Sequence, residues 1–323
     1  MSQSTAPSAK YLGPAASDRQ PSPGTGPLSA VDAGTIEVAA LPGGLDLQAT
    51  LESGQSYVWG RDDGALYADD DLAGGEAWYH AVLDGEAVRV RQRDGRLEWE
   101  STTDAGPLLA DRLRLGDDLE AIAAGAPDDL VAAAWDAFGG MRLIRDPFFP
   151  TLVAFICSAQ MQVARIADTQ AELRRRYGET VALGDRTYHA SPTPEALATA
   201  TEAELRDVGL GYRAPYVRET AAMVADGELT RADVVGLPYE DAREALTGFV
   251  GVGDKVADCV LLFSLGYLEA VPLDTWIRGA VAEHYPACDR ANYAETSRAI
   301  RKRLGGDLAG YHQTYLFHSL RTG

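Results

Sequence analysis

The chain holds three lysines against twenty-six arginines, and Lys255 sits where a lysine has little structural reason to be. It lies in "GFVGVGDKVADCVLLF", residues 248–263. The hydrophobic spacing predicts a helix ending near Phe249, a tight "GVG" turn, and a second helix starting near Asp254. Lys255 therefore falls in a first helical turn, where the positive end of the dipole disfavours an ammonium. That position suits an amine that must be neutral to attack carbon. Cys259 follows on the same helix face. Asp274, in "AVPLDTW", opens the next helix and by itself reads as an N-cap. Gly251 and Gly253 leave backbone amides bare at a helix N-terminus, a site for one phosphate of a nucleic-acid backbone. Taken alone, the same Gly-x-Gly also fits an ordinary turn.

Composition narrows the chemistry. The formal net charge is −19 and the pI about 4.6, which argues against a generally basic DNA-coating protein but leaves room for a local basic face. The acidic residues are spread along the chain, a pattern expected of a surface adapted to high salt. Cys157, Cys259 and Cys288 are too dispersed for a CxxC site or a four-cysteine iron–sulfur cluster, and a sparse odd set fits a reducing cytoplasm. His80, His189, His284, His312 and His318 offer no metal-ligand spacing, so no zinc is expected. A charged-then-apolar leader is missing and no apolar run reaches the ~18 residues of a bilayer span. The expectation is a soluble, cytoplasmic, monomeric protein.

The elements that must position these residues fall into two blocks. Residues 1–34, rich in Ser, Pro, Gly and Ala, are expected to be a disordered tail. Residues 35–126 read as an antiparallel β domain, with "GQSYVWG", "ALYADDD", "AWYHAVLDG", "EAVRVRQRDG" and "RLEWEST" as strands and Asp-Gly hairpins between some of them. Residues 127–323 read as an all-α domain, with the helix-hairpin-helix at about 239–266. Thr201 and Glu204 form a capping-box signature within it. The fold class is α+β.

"GVGDKVADC…AVPLDTW" resembles the helix-hairpin-helix-GPD superfamily of DNA glycosylases, specifically its bifunctional 8-oxoguanine DNA glycosylase/AP lyases. "SGQSYVW" (53–59), "AFICSAQ" (154–160), "VGLGYRAPYV" (208–217) and "QTYLF" (313–317) match that family in order. The resemblance implies that the partner is damaged duplex DNA and that Lys255 attacks C1′ of a flipped nucleoside to leave a Schiff base. It also implies that Asp274 stabilises positive charge developing on the sugar. Gly54 would offer a backbone acceptor to the N7–H that distinguishes 8-oxoguanine from guanine, and Gln313 would read the Watson–Crick edge. Phe317 and Cys259 would sandwich the base. Tyr212 resembles the family's wedge, and Arg165 and Arg213 its contacts to the orphaned cytosine. Gly251 and Gly253 would hold a phosphate.

The chain departs from the family at two places. Gln160 stands where the family has an Asn, followed by Met161. Trp276 and Leu320 replace a polar pair, a His and an acidic residue. The resemblance implies no catalytic cofactor and allows a structural alkali ion on hairpin carbonyls. It places the enzyme with the nucleoid. Two rival readings are an alkylated-base glycosylase of the same superfamily, which has no need of Lys255, and a non-catalytic hairpin module. The latter has no reason to combine Lys255, Asp274 and Gln313.

Overall fold

The computed structural model describes residues 31–67 and 76–322. Five strands form an antiparallel sheet: β1 (Asp32–Glu37), β2 (Gly60–Arg61), β3 (Tyr79–Leu83), β4 (Glu86–Arg93) and β5 (Arg96–Ser101), in the order β1-β5-β4-β3-β2. The two Asp-Gly turns, with Asp84 and Asp94 both at positive φ, close the β3–β4 and β4–β5 hairpins. Short helices α1 (Leu47–Glu52), α2 (Gly106–Arg112) and α3 (Leu119–Ala124) pack around this sheet.

The helical block follows as α4 (Asp129–Ala137), α5 (Phe148–Cys157), α6 (Val163–Tyr177), α7 (Pro194–Thr199), α8 (Glu202–Leu205) and α9 (Ala214–Ala225). It continues with α10 (Tyr239–Leu246), α11 (Asp254–Val260), α12 (Thr275–His284), α13 (Tyr293–Arg303) and α14 (Ala309–Thr322). Thr201 and Glu204 cap α8 reciprocally, as their spacing predicts.

Four sequence expectations need correction. Residues 1–30 lie outside the described residues, but Asp32, Ala33 and Gly34, expected in a tail, pair with β5 as part of β1. "GQSYVWG" is a loop with only Gly60 in a strand, because Tyr57, Val58 and Trp59 are buried in succession and no alternation survives. The described part of "ALYADDD" (65–67) is turn, and the rest lies outside the described residues. The helical block is also not purely α. Strands β6 (Thr180–Leu183) and β7 (Arg186–His189) form a hairpin whose Leu183 and Tyr188 pack with Val82 and Ala87 of the larger sheet.

Two buried devices hold the blocks together and aim α14. The fully buried Arg142 guanidinium donates to the carbonyls of Pro42, Gly44, Arg114 and Asp117. Its neighbours thus satisfy a buried cation through carbonyl oxygens alone, which avoids the larger penalty of an unpaired charge. On α14, Tyr315 stacks on Trp135 with ring centroids 3.6 Å apart, and His312 Nδ1 accepts from Trp135 Nε1 at 3.0 Å. With Tyr311, His312 and Tyr315 turned to the core, the remaining face of α14 is fixed toward a large cavity.

Candidate active site

The hairpin forms where expected, between α10 and α11, with the first helix ending at Leu246 and Thr247 as its C-cap. Gly251 takes φ +81°, a conformation that strains side-chain-bearing residues. Gly253 is the N-cap of α11 and has no side chain to satisfy the first amides, so these remain open. Arg243 pairs with Asp254 at 3.4 Å and ties the two helices together.

Lys255, half-buried, comes off the first turn of α11 and reaches a cavity of about 780 Å³. Its Nζ donates to Ser158 Oγ at 3.2 Å and lies 5.3 Å from the centre of the Phe155 ring. Ser158 gives its own proton to Phe155 O at 2.7 Å, so its oxygen is left as acceptor for the amine. Asp274 caps α12, its Oδ1 accepting from Ile277 N at 2.8 Å. Burial pushes the Asp274 carboxyl above the ordinary range, against the Ile277 amide and the Lys255 charge, which pull it down. Both side chains line the same cavity.

Their spacing is set by a buried carboxylate that sequence reading missed. Asp258, on α11, accepts from Tyr239 OH at 2.6 Å and from Tyr293 OH at 2.7 Å. The same Tyr293 oxygen accepts from the Leu273 amide at 3.1 Å, one residue before Asp274. A continuous bridge thus joins the lysine's helix to the aspartate's loop. Burial raises the Asp258 carboxyl to about 7, with the two tyrosine hydroxyls opposing the shift.

The cavity wall brings together all four residues assigned to the base. Gly54 has φ +92°, and a Cβ built there would lie 3.6 Å from Phe317 Cε1 and from Arg321 Nη1. Cys259 is 2% exposed, and burial drives its thiol up to about 12, so it presents a neutral, apolar sulfur. Gln313 is buried and its Oε1 has no hydrogen-bond partner among the described residues, the state of a polar group built to meet a ligand. Phe317 lies one helical turn further along α14. A cavity of this size with apolar walls and few polar groups has the character of a ligand site.

Of the residues expected on DNA, Gln160, Arg165, Tyr212 and Arg213 lie on the α5–α6 turn, the first turn of α6 and the segment before α9. Gln160, exposed at φ +55°, sits in the α5–α6 turn. Arg213 donates to Ala159 O in that turn, has no partner for its Nε among the described residues, and lies 4.3 Å over the Tyr212 ring. Tyr212 is 52% exposed, the posture of a side chain that can enter a base stack. Arg165 is exposed and its guanidinium lies against Gly209.

Trp276, on the cavity rim, is 48% exposed, whereas Leu320 packs against the core. Ser158, Arg321 and Met161 also line the cavity, although the sequence motifs assigned them no role there. Among the described residues no cluster of three His, Cys, Asp or Glu side chains could hold a metal, and no helix is long and apolar enough to cross a membrane.

Residues 153–305 match the HhH-GPD superfamily base excision DNA repair protein family. A probable N-glycosylase/DNA lyase of Methanothermobacter thermautotrophicus is 35% identical over 211 residues, 58% of this chain and 66% of that protein. The N-glycosylase/DNA lyase of Saccharomyces cerevisiae is 30% identical over 275 residues, 79% of this chain and 72% of that protein. In fold, the chain is similar to Clostridium acetobutylicum 8-oxoguanine glycosylase/lyase in complex with dsDNA containing cytosine opposite to 8-oxoG. The TM-score is 0.77 at 24% identity, covering 91% of this chain and 98% of that one. The hairpin, its lysine and the length over which these relatives align lead to one assignment: the chain belongs to the HhH-GPD superfamily of base excision DNA repair proteins.

Proposed function

We infer that the protein is a bifunctional DNA glycosylase/AP lyase that excises 8-oxoguanine from duplex DNA and cuts the resulting abasic site. The observation that carries this reading is the sharing of one cavity by three groups: the Lys255 amine, the Asp274 carboxyl, and the buried, unpartnered amide of Gln313. A base inside duplex DNA is out of reach of any such cavity, so the nucleotide must first be flipped out. Tyr212 fills the gap that it leaves, and the open amides after Gly251 and Gly253 hold a phosphate.

Once the base is housed, neutral Lys255 attacks C1′ through its lone pair. The C1′–N9 bond breaks and its electron pair leaves with the base, which takes up a proton. Asp274 offsets the positive charge that develops on the sugar while that bond lengthens. Loss of a proton from the amine and opening of the sugar ring give the C1′ Schiff base. Removal of a C2′ proton then expels the 3′ phosphate by β-elimination. The amine and the carboxylate both belong to the chain itself. The hairpin carbonyls are the hard oxygen donors that an alkali ion takes, and such an ion would steady the turn.

Specificity follows from one hydrogen. 8-Oxoguanine carries a proton on N7 where guanine has a lone pair, so an acceptor at Gly54 pairs with the lesion and repels the normal base. A buried acceptor left unpaired costs roughly 1–3 kcal/mol. An alkylated-base glycosylase would have no use for Lys255.

The test is borohydride trapping on duplex carrying 8-oxoguanine opposite cytosine. The wild-type chain should form a covalent adduct and release the base. Lys255→Gln should do neither while still binding the lesion duplex. An adduct formed by Lys255→Gln would overturn the assignment of the nucleophile.

A further inference from the structure

The face of α14 that looks into the cavity carries Gln313, Phe317 and Arg321, each four residues after the last. At that spacing the three side chains form one stripe, a polar end, an aromatic middle and a cationic end, spread over about 12 Å of helix axis. The motifs account for the first two. Arg321 is unused.

Its surroundings show one anchored side and one open side. Nη2 donates to Glu52 O at 2.8 Å and lies 3.4 Å from His318 Nδ1. Nη1 has no protein partner among the described residues and faces Gly54, 3.6 Å from where a Cβ would be. The guanidinium carbon lies 5.8 Å from the Phe317 ring centre and 6.0 Å from that of Tyr67. The nearest of these groups thus hold the side chain from behind, and one fork of the guanidinium is left toward the cavity.

We propose that Arg321 is a specificity-determining residue that donates to the C8 oxygen of the flipped 8-oxopurine. This deepens the 8-oxoguanine reading and rests on it. A purine lying on Phe317 with its Watson–Crick edge at Gln313 turns its opposite edge toward Gly54 and Arg321. In 8-oxoguanine that edge offers a donor and an acceptor side by side, N7–H and C8=O. The wall offers the complement, an acceptor at Gly54 and a donor at Arg321. In guanine the same two places hold a lone pair and a C8–H. A guanidinium facing C–H has lost its partner, so Arg321 rejects guanine at the second position, in addition to the rejection at Gly54.

A charge-assisted hydrogen bond of this kind corresponds to roughly a 10- to 100-fold effect. The experiment uses Arg321→Leu and Arg321→Lys in the full chain. Single-turnover excision is measured on 8-oxoguanine opposite cytosine, and binding is measured on the same duplex with a tetrahydrofuran abasic analogue, which has no base. Arg321→Leu should lose roughly tenfold or more in excision rate and keep its affinity for the abasic duplex. Arg321→Lys, which restores a cation with less directed donors, should recover part of the rate.

An unchanged excision rate in Arg321→Leu would overturn the proposal. So would a parallel loss of rate and abasic-duplex affinity, which would make Arg321 a helix anchor only. A wild-type chain inactive on 8-oxoguanine but active on an alkylated base would instead sink the reading on which the proposal rests.

Discussion

The two glycines of the hairpin turn should respond in opposite ways to the same substitution. At Gly251, φ is +81° and a Cβ would lie 2.7 Å from Tyr216 Cβ and 2.9 Å from Tyr216 Cγ. Gly251→Ala therefore meets left-handed strain of roughly 1–2 kcal/mol and an overpacking cost of about 1–3 kcal/mol. The sum, on the order of 2–5 kcal/mol, should lower Tm by roughly 5–15 °C in a chain of this size. At Gly253, φ is −102° and a Cβ meets no atom within 4 Å. The fold does not require glycine there, so Gly253→Ala should melt as the wild type does. The methyl group would instead occupy the space in which a phosphate approaches the amides of α11. Losing a hydrogen bond to a charged partner is worth about 1.5–3 kcal/mol, or roughly 10- to 100-fold in affinity for lesion duplex. Differential scanning fluorimetry and fluorescence anisotropy on the two variants decide the matter. If Gly253→Ala binds duplex as tightly as the wild type, those amides do not hold a phosphate. If Gly251→Ala melts unchanged, the strain and the contact have been misjudged.

Asp274→Asn should keep the helix cap, because Asn caps as well as Asp, yet slow base release by roughly 10²-fold or more. Burial raises the Asp274 carboxyl, so wild-type activity should fall with acidity at a pH above the ordinary carboxylate value of about 3.9; parallel pH–rate profiles for the two proteins would remove Asp274 from catalysis. Tyr293→Phe should reduce excision while the protein stays folded, since it strips a donor from Asp258 and an acceptor from the Leu273 amide; a wild-type single-turnover rate would mean that the bridge does not set the distance between Lys255 and Asp274. Buried Asp146, which accepts from Ser56 Oγ at 2.5 Å, is raised to about 7. Its folded pKa lies above the unfolded value of about 3.9, so its contribution is full below that value and is lost as pH rises toward about 7. Asp146→Asn should therefore gain in Tm over wild type as pH is raised from about 5 to about 8, and a pH-independent difference would contradict the assignment.

The hairpin could be read from sequence because its determinants are local. Two glycines, a helix start and a lysine in the first turn lie within a few residues of one another. Gln313 and Phe317 were legible only through the resemblance of "QTYLF" to the family, and their four-residue spacing puts them on one face of α14. Arg321 obeys that period too, but the motif ends before it, and a lone arginine in a final helical turn reads first as a partner for the helix dipole. The loop around Gly54 was misread as a strand because its stabilisers are distant. Gln55 donates to Thr50 O and Arg142 O and accepts from the Ile144 amide. Two of those three contacts span 87 and 89 residues of chain, beyond any local window. The Asp258–Tyr293–Leu273 bridge escaped in the same way, as it joins two helices and the loop before a third across residues that look like ordinary core positions.

The uneven use of cations has a chemical logic that the ion pairs make visible. Structural charges are given to arginine: Arg89 with Asp62 and Glu100, Arg91 with Glu98, Arg114 with Asp117, and Arg301 with Glu240. A guanidinium suits that work, being always charged, forked, and too basic to act as a nucleophile. A lysine engaged in such a pair would be held in its protonated form, because a carboxylate at contact distance favours the ammonium. Lys255 makes no ion pair among the described residues, and its polar partner is a hydroxyl. Asp274 is close enough to feel its charge, yet gives one oxygen to the Ile277 amide. The amine is therefore oriented by a hydroxyl and not by a salt bridge. Introducing a carboxylate at its hydroxyl partner, Ser158→Asp, should favour the ammonium and suppress borohydride trapping at neutral pH, with recovery as pH is raised. Trapping that stays at the wild-type level across that range would show that the freedom of Lys255 from a carboxylate is not what makes it reactive.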